Sequence, residues 1–458
     1  MDDKTILALN AFDLSRAHAL GDELEGRVRQ RAKLFGPASV LFYDRPLEFV
    51  RGSGCWLYDA EGSAYLDAYN NVPSVGHCHP HVVEAATRQL ARLNVHNRYL
   101  HQETVDYAER LIASLPAGLS QITFTCTGSE SNDLALRLAS EFTGARGVIV
   151  TEAAYHGNTA LVSEVSPTLM KRVATSPHVR LVPAPDSFRV APDRVAETFA
   201  AHVQAAIREL NDSGVGFSAL LVDSIFSSDG VFADPPGFMG AAIDAVHRGG
   251  GLFIADEVQC GFGRTGTSMW GFGRHGVQPD VVTFGKPMGN GYPIGAVATR
   301  PEILDGFCSK YGYFNTFAGT PVAAAVGQAV LDVIEREGLM ENARRVGEHL
   351  KRELHSLAAR HPAIADVRGA GLYLGVELVV RESAPPAPAP APAPALATAV
   401  LNGLRDRHVL IGAAGRYGNV LKIRPPLCFS TANADRLIAA LEEVLTHLAK
   451  APAARRPG

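Results

Sequence analysis

The sequence has no run of about eighteen or more consecutive apolar residues, the length that a membrane-spanning helix requires. It also has no long basic segment, and its formal net charge is -4, which argues against nucleic acid as a main partner. Cysteine is scarce: the six residues are scattered and form no CxxC pair. We therefore expect free thiols in a reducing compartment. Because no signal-peptide-like apolar stretch follows Met1–Lys4, we expect a cytoplasmic protein.

What the sequence does have is a repeated texture of short apolar runs between longer helical patterns. The chain has 458 residues, enough for two or three domains with a large buried core. The runs are Gln121–Cys126, Gly147–Thr151, Ala219–Asp223, Gly251–Ala255, Val281–Phe284 and Gly295–Thr299. Nearly continuous apolar strands between helices are typical of a mostly parallel sheet with both faces covered. This pattern predicts an α/β fold.

The two ends of the chain have a different pattern from the middle. Residues 54–59 and 64–67 read as a β-hairpin with its turn at 60–62, and the C-terminal part alternates helices and strands. We infer a large central domain, residues 71–318, and a smaller α+β domain built from residues 1–70 and 319–458. Within the smaller domain, the Pro/Ala run Ala384–Ala395 predicts an extended, polyproline-like surface insertion, because proline cannot join a β-ladder and alanine buries little area.

Residues that can carry chemistry follow five of the predicted strands. In open parallel sheets, ligands bind beyond the carboxyl ends of the strands. The residues at these ends are, in order, Thr127-Gly128-Ser129, Tyr155-His156-Gly157, Asp223-Ser224, Asp256-Glu257-Val258-Gln259 and Gly285-Lys286. Together they comprise a phosphate-type turn, an aromatic residue, two acids and a lysine. Each has a plain structural explanation alone, but all five at one sheet edge indicate a binding site.

Three of these features point to one kind of cofactor. The Gly128-Ser129 turn precedes a predicted helix, whose free N–H groups favour a phosphate, although a plain helix cap is the alternative. Asp256 ends an apolar strand, where a buried carboxylate needs a cationic partner such as a protonated pyridine nitrogen, or else caps a turn. Lys286 also ends an apolar strand; partial burial would depress its pKa and make it a Schiff-base nucleophile, and the alternative is a lysine that reaches solvent.

Three other motifs are set aside. Gly261–Gly266 matches GxGxxG but follows no strand and opens no convincing helix, so a dinucleotide site is not expected. His77-Cys78-His79 resembles a metal cluster, but adjacent residues rarely chelate one ion together, and no metal site is expected. Gly285-Lys286 lacks the upstream glycine and the following Ser or Thr of a phosphate-binding P-loop.

The ordered motifs resemble those of the class-III aminotransferases, which are pyridoxal 5'-phosphate (PLP) enzymes of fold type I. The similarity runs from about Phe42 to Leu448. The motifs that carry it are Val75–Pro80, Gly128–Asn132, Ala154–Gly157, Asp256–Arg264, Phe284–Lys286 and Asn315–Pro321. The resemblance implies a large PLP-binding domain with a mostly parallel central sheet, and a smaller α+β domain.

The resemblance also implies a role for each cofactor-binding residue. Gly128 and Ser129 hold the phosphate, Tyr155 and Val258 cover the two ring faces, Asp256 pairs with the ring nitrogen, Gln259 lies near the ring hydroxyl, and Lys286 carries the cofactor as a Schiff base and shuttles protons. Thr316 reaches the phosphate of the neighbouring subunit. We therefore expect a homodimer in which the phosphate site is shared across subunits.

Within the family, the chain looks most similar to a phospholyase branch acting on phosphoethanolamine and phosphohydroxylysine, with a related ammonia-lyase branch acting on a hydroxylated aminophosphonate. The matching segments are Tyr69–Val72, Arg98–His101, Asp106–Ala108, Pro185–Arg189 and Leu421–Ser430. Where ordinary members carry a carboxylate-clamping arginine, this chain has Lys422, a point charge without the bidentate fork. Where many carry a gating glutamate, it has the shorter Asp223. Arg424 adds positive charge nearby.

Two activities remain open on the sequence, and one further class is set aside. The favoured one is a lyase that eliminates phosphate or water from a small amine and releases an aldehyde and ammonia. The alternative is an ω-transaminase that passes the amino group to a keto acid such as pyruvate. A non-catalytic regulator is not expected, because no helix-turn-helix domain is appended and both Lys286 and Asp256 are present. We expect Asp223, Lys422 and Arg424 to bind the substrate.

Overall fold

The computed structural model of the chain describes residues 9–170, 176–380 and 391–450. The helices are α1 (Asp22–Phe35), α2 (Pro80–Arg92), α3 (Gln102–Ala113), α4 (Gly128–Thr143), α5 (Ala160–Glu164), α6 (Val195–Asp212), α7 (Gly240–Arg248), α8 (Pro301–Cys308), α9 (Pro321–Arg336), α10 (Leu339–Arg360), α11 (Pro394–Arg405) and α12 (Thr431–Lys450). Short 3-10 helices lie at Leu14–Ala19, Gly36–Ala38, Pro167–Leu169, Gly271–His275 and Lys286–Gly289.

The strands follow in chain order. They are β1 (Arg51–Ser53), β2 (Trp56–Tyr58), β3 (Ala64–Asp67), β4 (Gln121–Thr125), β5 (Gly147–Thr151), β6 (Val179–Val182), β7 (Phe217–Val222), β8 (Leu252–Asp256), β9 (Val281–Phe284), β10 (Gly295–Thr299), β11 (Ile364–Ala370), β12 (Tyr373–Val380), β13 (Ala391–Pro392), β14 (Val409–Leu410), β15 (Gly412–Ala414) and β16 (Val420–Ile423).

Seven of the described strands form the central sheet, in the order β4-β10-β9-β8-β7-β5-β6. β10 runs antiparallel to both of its neighbours, and the other pairings are parallel. The predicted mostly parallel sheet is thereby confirmed, and β6 is an additional strand that the apolar pattern did not indicate. The carboxyl ends of β4, β5, β7, β8 and β9 consequently lie along one edge of the sheet.

Both faces of the central sheet are buried. In β8, Leu252 and Ile254 belong to one apolar cluster, whereas Phe253 and Ala255 belong to another. Alternate residues of a strand point to opposite faces, so the two clusters are the two layers that cover the sheet. Helix α4 packs against β7, β9 and β10, while α6 and α7 pack against each other and against the strands β5 to β8. This packing fixes the carboxyl edge on a rigid base.

Strands from both ends of the chain meet outside the central sheet. The predicted hairpin is β2 paired with β3, and β3 in turn pairs in parallel with β14. A further antiparallel sheet contains β11, β12, β16 and β15, with β13 paired to β12. N-terminal and C-terminal segments therefore share one sheet, while the domain boundaries given above remain a prediction. No helix within the described ranges is long and apolar enough to cross a membrane.

The Pro/Ala run differs from the prediction where the structure describes it. Residues 384–390 lie outside the described residues, but Ala391–Pro392 pairs with Val379–Val380 at the C-terminal end of β12, beyond its pairing with β16, and Pro394 begins α11. Between them, Ala393 is fully buried. The structure therefore departs from the expected surface insertion at Ala393, which is buried, and at Pro394–Ala395, which begin a helix, while Ala391 and Pro394 are exposed. Proline is tolerated at a sheet edge and in the first turn of a helix, which is how these residues use it.

Candidate active site

Two adjoining cavities meet at the carboxyl edge of the central sheet. The larger has a volume of about 350 Å³, and the smaller has a volume of about 170 Å³. Both are lined by Tyr155, Gln259 and Lys286. The larger one also contains Gly128, Ser129, Asp256 and Val258, and the smaller one contains Tyr69, Lys422 and Arg424. The structure thus brings together nine of the sequence-predicted site residues and leaves out Asp223 and Thr316.

Lys286 lies directly beyond β9, where the two cavities meet. Its backbone has a φ of 38°, and it starts a short 3-10 turn after Gly285. Burial of the ammonium group, together with the nearby Arg424 guanidinium, lowers the pKa of Lys286 to about 7. In a large fraction of the molecules, Lys286 is therefore the neutral, nucleophilic amine at neutral pH.

Asp256, at the end of β8, is held by three hydrogen bonds. Asn132 Nδ2 donates to Oδ2 at 2.9 Å, and the Nδ1 atom of His156 lies 2.7 Å from the same oxygen. The backbone N–H of Val258 donates to Oδ1 at 3.0 Å. Asn132 is itself held by Thr283, whose hydroxyl donates a hydrogen bond to Asn132 Oδ1 at 2.7 Å. The carboxylate is thus oriented toward the larger cavity without a cationic Lys or Arg partner among the described residues, as a site for a protonated ring nitrogen requires.

The start of α4 forms a cradle that only small residues allow. Thr127 caps the helix through a hydrogen bond from Glu130 N at 3.1 Å. A Cβ atom on Gly128 would lie 2.9 Å from Val258 Cγ2, and one on Gly157 would lie 2.5 Å from Ser129 Oγ. Gly157 also has a φ of 138°, which side chains disfavour. The free N–H groups at this helix start therefore open directly into the cavity, which suits a phosphate.

These observations test whether PLP fits the residues that are present. A half-buried amine, a preoriented carboxylate and a glycine-lined helix start share one cavity. Nε2 of His156 is buried and has no hydrogen-bond partner within the described part of the chain. A phosphate group, a pyridine nitrogen and an aldehyde would each find its complementary group here, so the residues fit the cofactor.

Gln259 belongs to a polar cluster that spans the two cavities. Its Oε1 accepts hydrogen bonds from Asn71 Nδ2 and from Arg424 Nη1, each at 2.8 Å. The Arg424 guanidinium also lies 4.5 Å from the centre of the Tyr69 ring. The side chain of Arg424 therefore faces the cavity, and its direction is set by Gln259 and Tyr69 rather than by a carboxylate.

Lys422, on β16, lies on the wall of the smaller cavity and is buried. Burial and the positive charges of Arg424 and Lys286 lower the pKa of its amine well below the usual range. No carboxylate lies within ion-pair distance of Lys422 among the residues described. The smaller cavity thus carries Lys422 and Arg424 with no described carboxylate in contact with Lys422, and the more distant Asp223 and Asp229 only partly offset the lowered pKa.

Asp223 does not line either cavity. Its carboxylate accepts hydrogen bonds from the backbone N–H groups of Ile225 and Ser227, each at 3.0 Å, and burial raises its pKa. The side chain is used by its own loop, which argues against direct contact with a substrate. A glutamate would be one carbon longer, but the loop geometry that captures Asp223 could not be read from the sequence.

Thr316 is exposed and does not line the cavities of its own chain. The preceding residue, Asn315, contacts Glu130 in the first turn of α4. Thr316 therefore remains a predicted contributor to a neighbouring subunit.

The two histidines of the His77-Cys78-His79 motif contact different carboxylates: His77 lies against Asp67, and His79 lies against Glu337.

Sequence reasoning gave no role to several residues that shape the site. Asn132, His156 and Thr283 orient Asp256, while Tyr69 and Asn71 orient Arg424 and Gln259. Tyr69, Asn71 and His156 follow strands, Thr283 lies within β9, and Asn132 lies near the start of α4. The pairings join residues a hundred or more positions apart and depend on the folded sheet.

The fold and this lysine–aspartate–glycine arrangement define a PLP enzyme of fold type I. Residues 43–445 match the family model described as Aminotransferase class-III. The chain therefore belongs to the class-III aminotransferase family, and its cofactor is PLP. The sequence-based resemblance to this family, including its phospholyase members, is confirmed.

Named relatives fall on both sides of the lyase–transaminase question. An alanine–glyoxylate aminotransferase 2-like protein of Drosophila melanogaster is 41% identical, covering 92% of this chain and 86% of that protein. Ethanolamine-phosphate phospho-lyase homolog 1 of Caenorhabditis elegans is 37% identical, covering 92% and 93%. A solved phospholyase from Arthrobacter, in complex with phosphoethanolamine, is 44% identical with a TM-score of 0.88, covering 93% of this chain and all of that one.

Proposed function

We propose that this enzyme is an ammonia-releasing lyase that eliminates phosphate or water from a small, anionic primary amine. Candidate substrates are phosphoethanolamine, a phosphohydroxylysine and a hydroxylated aminoethylphosphonate. The observation that carries the proposal is the buried amine of Lys422, which has no carboxylate partner among the described residues and faces the smaller cavity beside Arg424.

An unpaired cationic wall favours an anionic ligand. Burying a positive charge is costly unless a counter-charge accompanies it, and here the protein supplies none in contact with Lys422. A substrate phosphate or phosphonate would restore the charge balance and raise the pKa of Lys422. The cavity, at about 170 Å³, has room for a small molecule. Lys422 and Arg424 form what we call the anion subsite. Lys286 lines the same cavity, so a short amine can reach both the anion subsite and Lys286.

The chain's own residues can support the proton transfers of an elimination. Bound PLP supplies an electron sink for the carbon that carries the amino group. Lys286, whose pKa is lowered to about 7, can accept a proton from that carbon and return it near neutral pH. Asp256, held by Asn132 and His156, keeps its carboxylate where a protonated ring nitrogen would pair with it. Lys422 and Arg424 bind the departing anionic group.

Two features favour elimination over transamination. Dual-substrate transaminases of this family gate a cationic clamp with a carboxylate, whereas Asp223 is engaged by Ile225 N and Ser227 N of its own loop. Arg424 is engaged by an amide, Gln259, and by the Tyr69 ring. The same cationic residues, Lys422 and Arg424, would therefore have to bind every substrate. The similarity to a phospholyase structure holding phosphoethanolamine supports the same choice.

The second candidate is a transaminase that passes the amino group to a small keto acid. The similarity to a protein named alanine–glyoxylate aminotransferase 2-like supports it. Lys422 could then pair with the carboxylate of the keto acid, although without the bidentate geometry that an arginine gives.

Replacing Lys422 by methionine tests the anion subsite. The change Lys422→Met keeps most of the buried volume and removes the charge. We expect KM for phosphoethanolamine to rise by roughly 10- to 100-fold, since a charge-assisted hydrogen bond contributes about 1.5–3 kcal/mol. Lys351→Met is the matched control, because Lys351 pairs with Asp234 away from the cavities and should leave KM unchanged. An unchanged KM in Lys422→Met would remove the basis for an anionic substrate at this wall.

A further inference from the structure

Two thiols from opposite ends of the chain lie in contact, and one of them is four residues beyond Arg424. Cys55 Sγ and Cys428 Sγ are 3.4 Å apart, and no disulfide joins them. Cys55 is buried, and Cys428 is partly exposed. The nearby Arg264 guanidinium is fully buried and donates to the carbonyl of Leu372 at 3.2 Å and to that of Pro425. A cation beside a thiol pair favours the thiolate form, which is the reactive one.

We propose that Cys55 and Cys428 are a redox-modified pair, in which a hydroperoxide converts the two thiols into a reversible disulfide that weakens binding at the anion subsite. The crosslink follows from the geometry of the thiols alone, whereas its effect on the substrate rests on the proposed function.

The chemistry balances with the peroxide as oxidant. The hydrogen bond from Cys55, together with Arg264, lowers the pKa of Cys428, so its thiolate attacks one peroxide oxygen and the O–O bond breaks. The products of that step are a sulfenic acid on Cys428 and, for hydrogen peroxide, a hydroxide ion, which takes up the proton that the Cys428 thiol had released and becomes water. The Cys55 sulfur then attacks the sulfenic sulfur, the S–S bond forms, and a second water leaves with the proton of Cys55. The two sulfurs lose two electrons, and the peroxide gains them.

Each thiol is linked to a residue of the smaller cavity: Cys55 to Tyr69 through hydrogen bonds, and Cys428 to Arg424 along the chain. The carbonyl of Cys55 accepts a hydrogen bond from Asp67 N at 2.8 Å. The Asp67 carboxylate in turn accepts from the backbone N–H groups of Tyr69 and Asn70, at 3.0 and 2.9 Å. Cys55 is thus two hydrogen bonds from the loop that places the Tyr69 ring under Arg424.

Cys428 lies four residues beyond Arg424 in a segment with little freedom. Leu427 N donates to Ser74 O at 2.7 Å, and Asn342 Nδ2 donates to the carbonyls of Leu427 and Phe429 at 2.7 and 3.0 Å. Gly76 lies beside this thiol, since a Cβ atom added there would be only 3.0 Å from Cys428 Sγ.

In the proposed disulfide, one of these two segments shifts toward the other. A disulfide brings the sulfurs to about 2.05 Å, which is shorter than the present contact by more than an ångström. Because the Tyr69 loop and the Arg424 segment approach each other at the anion subsite, a relative shift changes the position of Arg424 against Tyr69. The larger cavity, formed by the central sheet, contains neither segment's thiol and should keep its cofactor.

The test uses the holoenzyme in a Cys78→Ser/Cys308→Ser background, which removes the two exposed thiols. After treatment with hydrogen peroxide, non-reducing peptide mapping should find a peptide linking Cys55 to Cys428. KM for phosphoethanolamine should rise at least about threefold with kcat little changed and PLP retained, and dithiothreitol should reverse both changes. Cys55→Ser and Cys428→Ser in the same background should show neither change.

Two results would overturn the proposal. One is the absence of the linked peptide while other thiols of the enzyme are oxidised; the other is complete linkage with KM unchanged. Failure of the proposed function is distinguishable, because it appears as a lack of turnover in the untreated, reduced enzyme, whereas the peptide map still decides whether the pair forms.

Discussion

At the scale of single residues, Lys286 combines position with an altered charge state. Its amine lies where the two cavities join, and burial together with Arg424 lowers its pKa to about 7. Asp256 and Asp223 act in the opposite direction without cancelling this effect. A lysine with an ordinary pKa would be almost wholly protonated at neutral pH and a poor nucleophile. The site thus lowers the pKa of Lys286 without any contribution from the cofactor.

The pH dependence of cofactor attachment tests this charge state. Only the neutral amine attacks the PLP aldehyde, so the rate of covalent attachment to apoenzyme should rise about tenfold per pH unit below about pH 7 and level off above it. Borohydride trapping followed by mass measurement gives the rate at each pH, with Lys286→Ala as the control that should show no trapped adduct. A rate that keeps rising toward pH 10 would mean that Lys286 has an ordinary pKa.

At the scale of elements, the strand ends position the chemistry and the strand pairings make it rigid. β8 and β9 are adjacent and buried, and they deliver Asp256 and Lys286 to the same edge. The continuous apolar strands made this arrangement predictable from sequence. The run at 391–395 was not predictable in the same way, because composition alone does not indicate that the end of β12 extends beyond β16 and can pair with it, or that Ala393 is buried.

A charge introduced at Ala393 tests whether residues 391–395 are packed against the core or form a surface insertion. Ala393 is fully buried between β13 and α11, so Ala393→Asp should destabilise the fold by roughly 3 kcal/mol or more, because it buries an unpaired carboxylate. Ala391→Asp is the matched control at an exposed position two residues earlier, and it should change stability little. Thermal unfolding of both variants measures the difference. Equal unfolding midpoints would support the surface insertion after all.

At the scale of the whole molecule, we propose a homodimer whose phosphate site uses Thr316 of the neighbouring subunit. Thr316 is exposed and lies outside its own cavities, and the adjacent Phe317 is 74% exposed. Leu100 is 99% exposed. His96 contacts both Tyr99 and Phe314, so these two segments form one exposed apolar patch, and such a patch is typical of a surface that binds another chain.

Subunit mixing tests whether Thr316 acts across the interface. A heterodimer of a Lys286→Ala chain and a Thr316→Ala chain should contain one intact site, with activity and PLP affinity restored there. A heterodimer of Lys286→Ala and Lys422→Met chains is the control, since both residues line the cavities of a single chain and no intact site can form. Failure of the first pair to recover would place Thr316 outside the partner's phosphate site.

The sequence predicted those site residues whose place follows from local pattern, and it missed those that depend on long-range pairing. Gly128, Asp256 and Lys286 follow apolar strands, so their shared edge could be inferred. The contacts of Asn132 with Asp256 and of Cys55 with Cys428 join distant segments, and only the folded chain shows them. Asp223 has the expected strand-end position, but its loop captures the carboxylate.

The central claim, elimination rather than transamination, is tested most directly by ammonia release without any keto acid. A transaminase stops after one half-reaction, because nothing takes up the amino group, whereas an eliminating lyase restores its starting state in each cycle. The enzyme is given phosphoethanolamine, 5-phosphohydroxylysine or 1-hydroxy-2-aminoethylphosphonate, and ammonia is measured per active site. We expect many equivalents with at least one of them. No more than one equivalent with every one of these amines, together with brisk turnover once pyruvate and an ω-amine are added, would contradict the lyase and establish the transaminase.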